Sequence, residues 1–297
     1  MVLKGMKKHF YYRGIYIVLL LVLVCFGPGC NVINPHEQTP TYIHVDSFSF
    51  KYNSAVPFTT SHDIRTVWAY YNDNAIGAFD LPATFPVITN GTRHKLTLAP
   101  GIVVSGFNNN LSGYSFYTLD TSSFVPDPGK VITYVPKTSF YSTTKIQLVS
   151  NFDYGLTNLS KCGGNRDILI DTARADLFEG HGVGNISLIA VGDSSIDSTV
   201  FNYIIPYGQT AFLEFNYKST IPFYVGMQAF ESGIKSSVAY QTGVNPSANW
   251  AKFYLPLHDF IATYTGSGGY KFYFKAVLAE GQSSGVLLLD NIQIVTF

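Results

Sequence analysis

The sequence holds little charge and very little sulfur. Asp, Glu, Lys and Arg make up 13% of its 297 residues, and there are three Cys, three Met and two Trp. Two of the cysteines, Cys25 and Cys30, fall in the first thirty residues, so the remainder has one thiol, Cys162, and no disulfide can close within it. Four of the nineteen Lys and Arg (Lys4, Lys7, Lys8 and Arg13) also lie there. That leaves fifteen against nineteen Asp and Glu, a net charge of about −4. Such a balance lacks the basic stripe that nucleic acid demands and argues against electrostatic attachment to anionic lipid. Long apolar runs are missing too. Ile15 to Phe26 has twelve residues and would span ~18 Å as a helix, short of a hydrocarbon core of ~30 Å.

Aromatics and glycine are plentiful: 21 Tyr, 23 Phe and 26 Gly. Tyr, Phe, Thr and Val suit half-buried pleated strands, while Gly, Pro, Asn and Ser punctuate turns. Period-two alternation recurs over Tyr42 to Phe50, Val67 to Tyr71, Lys95 to Leu98, Thr144 to Val149, Ala211 to Tyr217, Tyr270 to Leu278 and Val286 to Val295. No stretch beyond the leader sustains a capped helical stripe. Strands this frequent, with turn signals between them, predict an all-β chain of sandwich type. Residues 31–41 (NVINPHEQTPT) are polar and contain proline, which suits a linker. Two β-sandwich domains are expected after it, over 42–149 and 150–297, divided ahead of the Gly-rich stretch Asn158 to Asn165.

Motifs of catalysis occur only out of context. Gly281-Gln282-Ser283-Ser284-Gly285 has G-x-S-x-G spacing, but a strand-like run follows where a helix is needed, and no His lies beyond Ser283. Ser142 to Lys145 and Ser232 to Lys235 match S-x-x-K without the helix or the later K-T-G of that chemistry. His36, His44, His62, His94, His181 and His258 are dispersed, with no paired spacing to start a metal site. Glycoside hydrolysis needs two carboxylates flanking the bond, and Glu179, Glu214, Glu231 and Glu280 stand singly. The remaining signal is aromatic. Flat rings offer apolar area to the C–H faces of sugars, and nearby amides can meet the hydroxyls. Trp250 with Asn249 and Asn245, and Tyr240 with Gln241, are the candidate ligand contacts; Trp68 and Tyr70-Tyr71-Asn72 form a second set. A Trp in an alternating strand is equally a core residue.

The leader combines a basic start, the apolar run and Gly27-Pro28-Gly29-Cys30, and it resembles the export signal of bacterial lipoproteins. The small Gly29 directly before Cys30 fits the pattern, and Gly27 departs from it where Leu is usual. Cys25 is the alternative, with the bulky Val24 at the position that should be small; an ordinary secretory signal or an uncleaved anchor is the other. The resemblance implies acylation of Cys30 and a body tethered to the bacterial envelope, at the outer membrane, because two or three acyl chains suffice for stable attachment.

Two segments near the end carry a second resemblance. Val286-Leu287-Leu288-Leu289-Asp290-Asn291-Ile292-Gln293-Ile294-Val295 resembles the last strand of galactose-binding-like jelly rolls, and Asn249-Trp250-Ala251-Lys252-Phe253-Tyr254-Leu255-Pro256-Leu257 resembles the Trp-containing strand before it. Trp68 to Phe79, Leu81-Pro82 and Ala99-Pro100-Gly101 resemble envelope lipoproteins of Bacteroidetes. The resemblance implies an Ig-like first domain and a second, carbohydrate-binding-module-like jelly roll. Such jelly rolls often hold a structural Ca²⁺ between first and last strands, for which Asp153 and Asp290 are the candidate oxygen ligands; the alternative is that Asp290 only hydrogen-bonds a nearby turn, and no other cofactor is expected. The expected function is non-catalytic: a lipid-anchored protein that binds glycan or an envelope protein partner. The alternatives are a structural subunit or adhesin of an envelope complex, and a polysaccharide hydrolase whose site has no recognisable motif.

Overall fold

The computed structural model describes residues 16–17, 37–52, 59–89, 94–106, 110–231, 234–264 and 268–297, and the side chains of 234–240 fall outside that description. Cys25 and Cys30 therefore lie outside the described residues. The chain is all-β. Its first unit runs β1 (Thr41–Val45), β2 (Ser49–Phe50), β3 (Ile64–Tyr71), β4 (Asn74–Asp80), β5 (Ala83–Val87), β6 (Lys95–Val103), β7 (Leu111–Gly113), β8 (Asp120–Ser123), β9 (Val131–Thr133) and β10 (Lys137–Thr138). One sheet has the order β4-β3-β6-β7, with β8 also on β6; a three-stranded sheet, β5-β1-β9, packs against it. Alternation explains the packing, because successive side chains leave a strand on opposite faces. Val67, Ala69, Leu96 and Leu98 meet Ile43, Val45, Phe85 and Val87 between the sheets. The β3–β4 hairpin closes in two residues, Asn72 and Asp73, both at positive φ (48° and 68°), a turn whose twist matches its strands.

The second unit contains β11 (Lys145–Ser150), β12 (Leu159–Gly164), β13 (Leu169–Asp171), β14 (Val183–Leu188), β15 (Ser194–Thr199), β16 (Ala211–Ser219), β17 (Phe223–Glu231), β18 (Ile234–Val244), β19 (Ser247–Pro256), the short helix α1 (His258–Thr263), β20 (Tyr270–Val277) and β21 (Gly285–Thr296). A six-stranded sheet in the order β13-β14-β21-β16-β19, with β11 also on β21, packs on a five-stranded sheet, β12-β15-β20-β17-β18. Leu213, Phe215, Phe253, Leu255 and Leu289 fill the space against Phe223, Val225, Met227, Phe272 and Phe274. The last strand, β21, is the centre of its sheet: β16 lines one edge, and β14 and then β11 line the other. Lys145–Ser150, read from sequence as the end of the first domain, thus pairs inside the second unit's sheet.

A third cluster joins the units. Ile102, Val104, Tyr114, Phe116, Tyr117 and Phe140 pack on Tyr254 and Val295, which stand on the outer face of the six-stranded sheet. That sheet is therefore covered on both faces along this part. The five-stranded sheet keeps an outer face with polar and aromatic side chains on it.

Candidate functional site

The sequence-predicted residues are spread over both sheets. Trp250 lies on β19, part-exposed, with its ring 5.2 Å from that of Phe178. Asn249 beside it is exposed. Tyr240 sits on β18 of the other sheet, opposite Met227, and its side chain lies outside the described residues. Trp250 and Asn249 thus lie on the six-stranded sheet, and the Tyr240 backbone lies on the five-stranded one.

Asp153 and Asp290 come near each other through Glu179. Asp290 Oδ1 accepts the Asn291 N–H at 2.7 Å, and Oδ2 accepts the Glu179 N–H at 3.3 Å. Glu179 Oε2 accepts from Thr59 Oγ1 at 2.8 Å and from Asn291 Nδ2 at 2.9 Å. Asp153 holds the next turn, with Oδ1 accepting the His181 N–H at 2.5 Å and Oδ2 accepting from Asn151 Nδ2 at 3.0 Å. Burial pushes the Asp290 carboxyl up to about 7, the two N–H donors oppose this, and the charges of Glu179 and Asp153 add to it. The donor atoms are the hard oxygens that Ca²⁺ takes, but they are turned onto N–H groups rather than onto a common point. Among the described residues no group of three or more His, Cys, Asp or Glu is gathered to hold a metal ion.

A charged network fills the seam between the units. Lys252 Nζ lies 2.7 Å from Glu214 Oε2, with both side chains almost wholly buried. Lys252 also donates to the Ser61 carbonyl at 2.9 Å and stands 5.6 Å from the centre of the Tyr254 ring. Glu214 accepts from Tyr114 of the first unit and, at 3.0 Å, from Gln293 Nε2. Tyr254 accepts the Asp63 N–H at 2.9 Å. Burial pushes the phenols of Tyr114, Tyr117 and Tyr254 well up, and the charge of Glu214 adds to each. A buried charge needs a partner and hydrogen bonds to be tolerated, and Glu214 and Lys252 have both. Sequence reading singled out Glu214 only as an isolated acid; its partners lie about 40 and 100 residues away in the chain.

The open surface is the outer face of the five-stranded sheet. Phe223, Val225 and Met227 of β17 and Phe272, Phe274 and Ala276 of β20 point inward, so Tyr224, Gln228, Lys271, Tyr273 and Lys275 point out. Register places Tyr224 opposite Lys275, and Gly226 between Tyr273 and Gln241. Lys275 Nζ sits 5.9 Å from the centre of the Tyr224 ring, and Tyr224 is 42% exposed. Gly243, exposed, stands directly across from Tyr224 and keeps that end of the row low, whereas Gly226 is buried between its neighbours. Ser198 of β15 continues the row from Tyr273. The result is a flat strip of rings bordered by amide, hydroxyl and ammonium groups, which can hold a polar ring by face contact and hydrogen bonds.

No known protein family matches the chain, and no curated protein matches it. Among solved structures it is similar to the family 30 carbohydrate-binding module of the cellulosomal cellulase Cel9D-Cel44B of Clostridium thermocellum, at 15% identity and a TM-score of 0.38 over 50% of this chain and 96% of that one. It is similar also to carbohydrate-binding modules of the β-sandwich superfamily described as promiscuous in specificity, at 14% identity and a TM-score of 0.39 over 87% of this chain and 98% of that one. A third is the enzymatically active domain of tailspike protein 4 of bacteriophage CBA120, at 12% identity and a TM-score of 0.36 over 47% of this chain. The match spans 19% of that tailspike chain. Likeness at this level assigns no function.

Proposed function

We propose that the protein is a non-catalytic polysaccharide-binding protein, anchored to a bacterial envelope membrane through acylated Cys30. The observation that carries the binding reading is the Tyr224–Lys275–Tyr273 strip, a row of rings and polar groups on a sheet face that no other element covers among the described residues. Sugar hydroxyls find Gln241 and Ser198 beside the rings, and the exposed Gly243 leaves room beside Tyr224 for a chain to lie across the strands. Retardation in gels containing neutral polysaccharide tests it. Tyr224→Ala is expected to weaken the retardation by roughly tenfold or more while the melting temperature holds, and Trp250→Ala run alongside separates this strip from the Trp250 region. Retardation unchanged in Tyr224→Ala would sink the site. Release of reducing ends from a polymer that binds would overturn the non-catalytic part.

The anchoring part rests on the leader. Palmitate labelling of the expressed chain is expected to disappear in Cys30→Ser and to persist in Cys25→Ser.

One observation favours a protein partner as a second reading. Phe201, Ile204 and Tyr207 cluster within seven residues at 61%, 64% and 68% exposure, beside Val200 at 44%. Exposed apolar groups this close together mark interaction surfaces. An envelope-complex subunit would lose its place in that complex on Phe201→Ser.

A further inference from the structure

The outer face of the first unit's larger sheet carries a feature that the Tyr224 strip does not explain. Val67, Ala69 and Tyr71 of β3 point into the core, so Thr66, Trp68 and Tyr70 point out. Across the strands Trp68 is flanked by Ala78 on one side and Ala99 on the other, and the row beside it reads Asp80, Thr66, Gly101, Gly113. Both direct cross-strand neighbours of the indole are thus alanine, and on β6 and β7 the adjoining row is glycine. A Cβ at Gly101 would meet Trp68 Nε1 at 2.8 Å and Cδ1 at 3.0 Å, although Gly101 is the diagonal neighbour rather than the direct one. The indole therefore leans sideways over Gly101 instead of standing off the sheet. Beyond it, a Cβ at Gly113 would have nothing within 4 Å. Trp68 stays part-exposed, with Tyr70 and Thr97 in the next row.

Two polar atoms here have no partner. Trp68 Nε1 and Thr66 Oγ1 are shielded from solvent without a hydrogen bond in the protein, and Thr66 is wholly buried. Buried polar atoms are nearly always paired, so a donor and an acceptor left over together call for an explanation. Core packing does not supply one, because both side chains face away from the core. The face carries few charges: Asp80 stands in the row beside Trp68, and Lys95, at the far end, is held by Asp73 at 2.5 Å.

We propose that this face is a second polysaccharide-binding surface, on which a neutral hexopyranose unit stacks on Trp68 and, as the indole lifts off Gly101, its hydroxyls supply partners to Trp68 Nε1 and Thr66 Oγ1. A flat indole with small residues on both sides admits a sugar ring by its C–H face, and the Asp80 carboxylate in the adjoining row disfavours an acidic polymer. With the Tyr224 strip on the other unit, the chain would grip a polymer at two places, and the second contact would multiply affinity without any further surface.

The test uses the full chain carrying Trp250→Phe, which leaves Trp68 as its one tryptophan. Hydroxyethyl cellulose, galactomannan and pullulan are the probes. At least one of them is expected to shift the Trp68 emission to the blue. Tyr224→Ala should leave that shift in place. Ala78→Arg places a guanidinium where it stacks on the indole from an exposed position; it should remove the shift and weaken retardation roughly tenfold or more, with the melting temperature unchanged. A polymer that retards the chain without moving Trp68 emission, or one that moves it equally in Ala78→Arg, overturns the second surface and leaves the Tyr224 strip standing. No retardation and no shift with all three overturns both.

Discussion

The same pair of side chains occurs on the two outer faces of the second sandwich. On the six-stranded sheet Lys252 Nζ stands 5.6 Å from the Tyr254 ring centre; on the five-stranded sheet Lys275 Nζ stands 5.9 Å from the Tyr224 ring centre. Their surroundings separate them. The first unit lies over Lys252 and Tyr254, and the segment 59–63 gives them the Ser61 carbonyl and the Asp63 N–H. Nothing among the described residues lies over Lys275 and Tyr224. Covering an aromatic-cationic strip turns its polar groups into internal partners whose loss is a folding matter. Leaving it open keeps the same groups available to a ligand, and their loss becomes a binding matter.

Lys252→Met is the harshest way to test that contrast. It strands the Glu214 carboxylate in the seam without its cation, and breaking one side of a buried pair costs about 3–5 kcal/mol. Urea denaturation should show a loss of that size, and the double variant Lys252→Met with Glu214→Gln should regain part of it. A loss below about 1 kcal/mol would mean that water reaches the seam and the two strips are alike.

Next comes the covered acid, Asp290. Its carboxyl is pushed up to about 7 in the folded chain, against ~3.9 in an unfolded one. The folded state therefore holds its proton more tightly. Stability from this group is full below about pH 4, falls as the pH rises to about 7 and is flat above that. The fall is on the order of 2–4 kcal/mol. Asp290→Asn, close in shape and always neutral, should remove this part of the slope between pH 4 and 7. An unchanged slope would show that the negative charge is balanced there by something other than protonation.

The strands were legible in the sequence because burial alternates with period two, and Tyr270 to Val277 reads inward and outward as the pattern requires. The open strip was legible in principle: Lys271, Tyr273 and Lys275 alternate with Phe272, Phe274 and Ala276. Trp250 is the more conspicuous sugar-contact signal in the sequence, and the structure places it against Phe178. Which face is covered could not be read, because it depends on the first unit folding over β16 and β19. Tyr114 and Glu214 are 100 residues apart and neither carries a local sign of the other. The end of the first domain was hidden for a related reason: β11 alternates like any strand, and only its pairing with β21 shows where it belongs.

On the open strip the expected effects are smaller for folding and larger for binding. Tyr224→Ala should weaken polysaccharide retardation by roughly tenfold or more, since a stacked ring contributes about 0.5–1.5 kcal/mol beyond the area it buries. Unfolding should move by no more than about 1 kcal/mol. A loss of stability equal to the loss of binding would place Tyr224 in the fold instead.

Lys275→Met is the counterpart of Lys252→Met and should give the smallest change of all. The chemistry removed is identical, an ammonium beside a tyrosine ring, and Lys275 is part-exposed. Solvent stands ready to replace what the ring loses, so the contact contributes about 0.5–1 kcal/mol. No buried carboxylate is abandoned, and methionine keeps most of the stem's apolar cover over Tyr224. Urea midpoints for the two Lys→Met variants, measured side by side, should then differ by several-fold in free energy for one and the same substitution. Equal costs would show that the covering unit contributes no desolvation at Lys252, and the division between a sealed strip and an open one would fail at its source.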